Sequence, residues 1–178
     1  DAFASGASTL EDLALGNFAV GLYTFNKLQE IADENNLQIE TEDLRDITES
    51  SIRLTLERYR YLPRRHPTQH DDDKLKKVVR DYLDAVSRNK NLDSDNLKNA
   101  VETIFLTEPH TGFVIRDHVW IRVAEPTGPA WVCQTCGKPH VHASGGVCVR
   151  CLSTLPDNST AICSEVGIRN IVLKSTEE

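Results

Sequence analysis

The sequence predicts an α+β fold, with helices over its first two thirds and a β-hairpin followed by cysteine-rich turns at its end. Three observations carry this. Apolar residues recur at three- and four-residue steps as far as Phe105, then at alternate positions from Phe113 to Val123, and four of the five cysteines fall in two C-x-x-C pairs between 133 and 151. With 39% apolar residues in 178, the chain can bury a core, which excludes wholesale disorder and a collagen-like or coiled-coil rod. No run approaches the roughly 18 apolar residues of a membrane span, and nothing reads as a signal peptide. The expected setting is therefore cytoplasmic, with no membrane partner. The absence of any Met points to an excerpt from a longer chain.

Ser8 stands three residues before Glu11, the spacing of a capping box, and a helix is expected from Thr9. Its stripe is Leu10, Leu13, Phe18, Leu22, Phe25, Leu28 and Ala32, interrupted at Gly16 and Gly21, so that one broken helix or two are expected before Asn35 and Asn36. A second helix starts near Thr41, with Glu42 and Asp43 opposing its positive end, carries Ile52, Leu56 and Tyr59 on one face, and stops before Pro63. Residues 63–73, PRRHPTQHDDD, read as a linker. Behind Asp71, Asp72 and Asp73, Leu75, Val78, Val79, Tyr82, Leu83 and Val86 form the cleanest helical stripe in the chain. A shorter helix with Leu97, Val101, Ile104 and Phe105 follows the cap candidates Ser94 and Asp95, and residues 109–112 turn the chain. Phe113, Ile115, Val119, Ile121 and Val123 then share one parity, which predicts a hairpin with its tip near Asp117. Helix, helix and hairpin in that order resemble a winged-helix arrangement. The expected organisation is a helical segment at 1–66, helices plus hairpin at 71–124, and a cysteine-rich unit with a C-terminal strand at 125–178.

The net charge of −7 is uneven. Residues 1–50 carry eleven acids and two bases (−9), residues 51–124 fourteen bases and eleven acids (+3), and residues 125–178 four bases and five acids (−1). A globally basic nucleic-acid binder is excluded, but a local patch is not. Arg53, Arg58, Arg60, Arg64 and Arg65, interleaved with Tyr59 and Tyr61, are the candidates: arginine neutralises phosphate and tyrosine stacks on exposed bases. The competing reading pairs these arginines with the acidic front segment.

Cys133 and Cys136, then Cys148 and Cys151, supply two tight turns eleven residues apart. Two such turns facing each other offer four thiolates in the tetrahedral geometry that Zn²⁺ accepts, in a compact ribbon too small to fold on apolar burial alone. Gly137 suits the turn after the first pair, and Leu152 takes the equivalent place after the second. Two disulfides, a redox C-x-x-C and an iron–sulfur cluster are the alternatives. Cys163 reads as a buried small apolar residue, and Trp131 as packing for the ribbon. His140 and His142, in the loop between the pairs, are assigned to hydrogen bonds around the metal ligands or to contact with a partner. A zinc hydrolase needs an open metal position and a nearby carboxylate, whereas four Cys close the site and no acid lies between Glu125 and Asp157. No phosphate-binding loop, dinucleotide fingerprint, nucleophile elbow or metalloprotease motif is present, so this stretch does not read as catalytic. Chelation is expected to unfold the ribbon and leave the helices largely intact.

The run from His118 to Cys151 resembles the cysteine-rich segment of very large superfamily-two DEAD/DEAH-box helicase-like proteins, as in bacterial anti-phage defence systems of the Druantia and DISARM type. A strand leads into Trp131, Cys133 and Cys136, then His140 and His142, the small-residue turn Ser144–Gly146, and Cys148 and Cys151. The resemblance covers about a fifth of the chain. It implies a parent that couples ATP hydrolysis to movement on DNA, with the ATP site in sequence lying elsewhere, and it makes this stretch an accessory module with a structural zinc that contacts DNA or the rest of a helicase-like chain. A docking module without nucleic-acid contact is the first alternative, and a zinc hydrolase or thiol redox protein the second.

Overall fold

Helical apolar spacing becomes helix in the computed structural model, which describes residues 11–21, 25–59, 75–105 and 119–166. Among the described residues these helices are α1 (Leu28–Glu34), α2 (Thr41–Tyr59), α3 (Lys77–Lys90) and α4 (Ser94–Phe105). Strands β1 (Gly16–Val20) and β2 (Val119–Val123) form an antiparallel pair, and β3 (Pro129–Val132), β4 (Pro139–His140) and β5 (Ala161–Ile162) form a second antiparallel sheet in the order β4-β3-β5. The fold is α+β, and no described helix is long and apolar enough to cross a membrane.

The core lies among α2, α3 and α4. Leu44, Ile47 and Ile52 of α2 meet Val79, Tyr82, Leu83 and Val86 of α3 and Leu97, Val101, Ile104 and Phe105 of α4, all buried. Each fully buried aliphatic side chain contributes about 1.5–3 kcal/mol to this layer. Helix α3 ends where Asn91 turns left-handed, at φ 55°, and returns its amide to the Ser87 carbonyl. The cap of α4 is Asp93 rather than the expected Ser94 or Asp95: its Oδ1 accepts from the Asp95 and Asn96 amides, while the Ser94 hydroxyl donates to Asp84.

The front of the chain departs from expectation. Gly16–Val20, read as part of a helical stripe, is a strand paired with β2 from Gly16↔Val123 to Val20↔Val119. Gly16 decides this locally, because a Cβ there would lie 2.3 Å from the Arg122 carbonyl oxygen. Glu11 does not serve a helix start. Its carboxylate pairs with Arg53, and Ser8 lies outside the described residues. The expected parity of β2 holds, but with its apolar side outward: Ile121 and Val123 are 60% and 75% exposed, while Arg122 reaches inward to Glu49. The linker at 63–73, Asp71 to Asp73, Phe113, Ile115 and the hairpin tip at Asp117 lie outside the described residues. Val147 and Val149 join the core built by the helices, so residues from all three expected segments pack together.

Candidate metal centre

Two matching turns present the four cysteines. In the first, the Gly137 amide donates to the Cys133 carbonyl at 2.8 Å and the Cys133 amide to the Lys138 carbonyl at 3.0 Å. In the second, Leu152 donates to Cys148 at 2.9 Å and Cys148 to Ser153 at 2.9 Å, the same pattern fifteen residues later. Both turns need a left-handed residue after the second cysteine: Gly137 has φ 70° and Leu152 φ 61°. Leu152 therefore adopts the glycine conformation at the strain a side chain brings there. Strands β3 and β4 hold the first turn as a short hairpin, and a bridge between Val147 and Thr154 closes the second.

The turns face each other. Sγ of Cys133 lies 3.5 Å from Sγ of Cys151, and Sγ of Cys136 lies 3.6 Å from Sγ of Cys148. All four ligand atoms fall within 4.8 Å of one another, and this group could hold a metal ion. A tetrahedron with metal–sulfur bonds of about 2.3 Å has edges of ~3.8 Å, close to these separations. All five cysteines are free thiols, so neither pair is a disulfide. Burial pushes the Cys148 and Cys136 thiols above their ordinary range. Burial opposes ionisation of Cys151 too, but hydrogen bonds from the Ser153 hydroxyl and amide bring that thiol down to about 6. The Arg150 amide donates to Cys148 Sγ at 3.4 Å. Four sulfurs gathered this closely, with an amide donor aimed at Cys148 Sγ, suit a divalent cation, whose binding would displace the thiol protons. Trp131 and Leu155 pack around the cluster, whereas Cys163 is buried elsewhere, with Ala14, Ala130 and Val166.

Neither His140 nor His142 belongs to the ligand group. His140, cross-strand from Trp131, is fully buried, and neither ring nitrogen has a hydrogen-bond partner among the described residues. Burial, with the charge of Arg53 adding to it, holds its pKa well below the usual imidazole range, so it is neutral. His142 is 7% exposed: Nδ1 accepts from the Ser144 amide at 3.1 Å and Nε2 lies 3.8 Å from Glu11 Oε1.

The structure adds a buried ionic junction beneath this loop that spacing alone did not reveal. Arg53, 2% exposed, pairs with Glu11 and, at 3.1 Å, with Asp12, and Lys138 also pairs with Asp12. Glu49 accepts from Asn17 at 2.6 Å and from Arg122 at 3.0 Å, and burial raises its pKa. Arg53 is thereby removed from the expected nucleic-acid patch: both sides of its guanidinium are engaged in the interior. The one signal in the sequence was the excess of acid ahead of the arginines, the basis of the competing reading. Arg58 lies on α2 with its side chain outside the described residues, as are Arg60, Arg64 and Arg65 altogether.

Compared with protein-family models, with curated proteins and with solved structures, the chain gives no match. What stands on the fold and the site is an α+β protein with a four-cysteine group able to hold a metal ion.

Proposed function

We propose that this chain is a non-catalytic zinc-binding module, working in the cytoplasm as an accessory part of a larger DEAD/DEAH-box helicase-like, ATP-dependent DNA motor in anti-phage defence. The observation that carries the metal reading is the gathering of Cys133, Cys136, Cys148 and Cys151 within 4.8 Å. Four thiolates leave no open coordination position, which makes the ion structural, and their spacing suits one ion better than a cluster whose thiolates bind separate irons. The motor context and the defence role rest on the resemblance of residues 118–151. DNA contact then falls to Arg58, Arg60, Arg64 and Arg65. Elemental analysis of protein purified without added metal should give one zinc per chain, and DNA binding should weaken as salt rises and on combined Arg64→Ala and Arg65→Ala substitution. Absence of metal would overturn the zinc reading.

One observation favours a second reading, a docking module that contacts protein rather than nucleic acid. Arg53 is used against the acidic front of the chain, as expected if the arginine cluster serves the interior. Zinc without salt-sensitive DNA binding, and indifference to the Arg64 and Arg65 substitutions, would select it.

A further inference from the structure

We propose that metal occupancy controls the packing of the helical core, through the Ser144–Gly146 turn acting as a wedge between α2 and α3. This rests on the zinc reading above. The turn lies in the loop that joins Cys136 to Cys148, so both ends of that loop are tied to the metal group. Its middle goes into the core. The Ser144 carbonyl accepts from Tyr82 Oη of α3 at 2.9 Å, and the Ser144 hydroxyl lies 2.6 Å from that of Ser50 on α2. A Cβ on Gly145 would come within 2.6 Å of Ile47 Cγ1 on α2 and 3.2 Å of Val86 Cγ1 on α3, and one on Gly146 within 2.5 Å of Asn89 Nδ2. Backbone here fills the space that a side chain would occupy in an ordinary helix interface.

The wedge is not a conformation the chain would hold unaided. Ser144, Gly145 and Gly146 are three successive left-handed residues, with φ of 51°, 58° and 76°. Such a run is costly for Ser144 and entropically unfavourable for the glycines. Tethering at Cys136 and Cys148 limits the alternatives, and His142 presets the turn by accepting the Ser144 amide. The buried apolar residues around the cysteines are few, with Leu155 the one large aliphatic among them, while Val147 and Val149 pack with the helices instead. When the metal leaves, the strained turn keeps only its contacts with α2, α3 and His142, and its departure would strip buried Tyr82 and Ser50 hydroxyls of their Ser144 partner. The effect of chelation therefore reaches α2 and α3, against the expectation that it leaves the helices largely intact.

Linkage makes this testable from the helix side, because a group that seats the wedge must also support metal binding. In the full 178-residue chain, Tyr82→Phe should weaken zinc binding about fivefold in competition with a chromophoric chelator, the equivalent of one hydrogen bond of ~1 kcal/mol. Ser87→Ala, on the same helix at a hydroxyl with no partner among the described residues, should leave it unchanged. Hydrogen exchange on reduced, chelator-stripped protein should show peptides from 44–54 and 79–87 losing protection together with 129–155. Tight zinc binding with full helix protection after stripping, or an unaltered affinity in Tyr82→Phe, would overturn the wedge and leave the zinc reading standing. No zinc at the cysteines would overturn both.

Discussion

The helical layer and the cysteine-rich region reach stability by opposite means. Helices α2 to α4 bury Leu, Ile, Val and Tyr side chains against one another, and a single vacancy there is one loss among many. The region from Pro129 to Val166 has short strands, a small apolar cluster around Cys133, Cys148 and Leu155, and polar groups seated in the interior. The contrast sets many apolar contacts in the helical layer against a few sulfur and polar contacts in the cysteine-rich region. The cysteine-rich region lends Ser144–Gly146, Val147 and Val149 to the helices, and on the wedge proposal its four thiols would thereby help to hold a core to which they contribute no apolar surface.

The largest effect should come from Cys148→Ser. Serine supplies no thiolate, so the variant should lose stoichiometric zinc, read by elemental analysis, and structure throughout 129–166, read by hydrogen exchange. Conservative changes of helical core residues such as Val79→Ala should cost much less and leave zinc in place, which sharpens the contrast.

Next in size is Arg53→Ala. Removal of the guanidinium leaves Glu11 buried without its cation, and breaking such a pair costs about 3–5 kcal/mol in urea unfolding of the metal-loaded protein. A loss below about 1 kcal/mol would place Arg53 in solvent and restore it to the basic patch.

A smaller change of opposite sign is expected at Leu152, which holds φ 61° while 37% exposed. Leu152→Gly should stabilise the metal-loaded protein by up to about 1 kcal/mol, because little burial is lost and a left-handed strain is removed. The matching Gly137→Leu should destabilise.

The smallest effect belongs to His140. Both ring nitrogens lack a partner among the described residues, so His140→Leu forfeits no hydrogen bond and should stay within about 1 kcal/mol of the parent at pH 7.5. Its pH response should differ. An imidazole held below its usual value gains a proton more readily in the unfolded chain, so stability is complete above about pH 6.5 and falls as pH drops below it. The leucine variant should lose that part of the acid decline, measured as the unfolding midpoint from pH 7.5 to 5.5.

Helices α3 and α4 were legible because period and burial coincide: Val79, Tyr82, Leu83 and Val86, then Leu97, Val101, Ile104 and Phe105, are buried as their spacing implied. Helix α2, by contrast, is buried on every side from Asp46 to Leu54, and its expected Leu56 and Tyr59 side chains lie outside the described residues. The cysteine group was legible because chemistry fixes its spacing. The strand at Gly16–Val20 was not, since Phe18 continues the helical spacing of Leu22 and Phe25 while the buried Asn17 and Ala19 give no apolar alternation, and only the distant partner β2 resolves it. Burial of Arg53, His140 and His142 was hidden for a related reason. Polar residues are read as exposed unless a partner is known, and Glu11 lies 42 positions from Arg53.

Zinc K-edge X-ray absorption on protein purified without added metal bears most directly on the four-thiolate centre. One zinc surrounded by four sulfurs at about 2.3 Å is the expected result. A nitrogen ligand from His140 or His142 at about 2.0 Å, or a sample without zinc, would contradict the closed site and the structural role built on it.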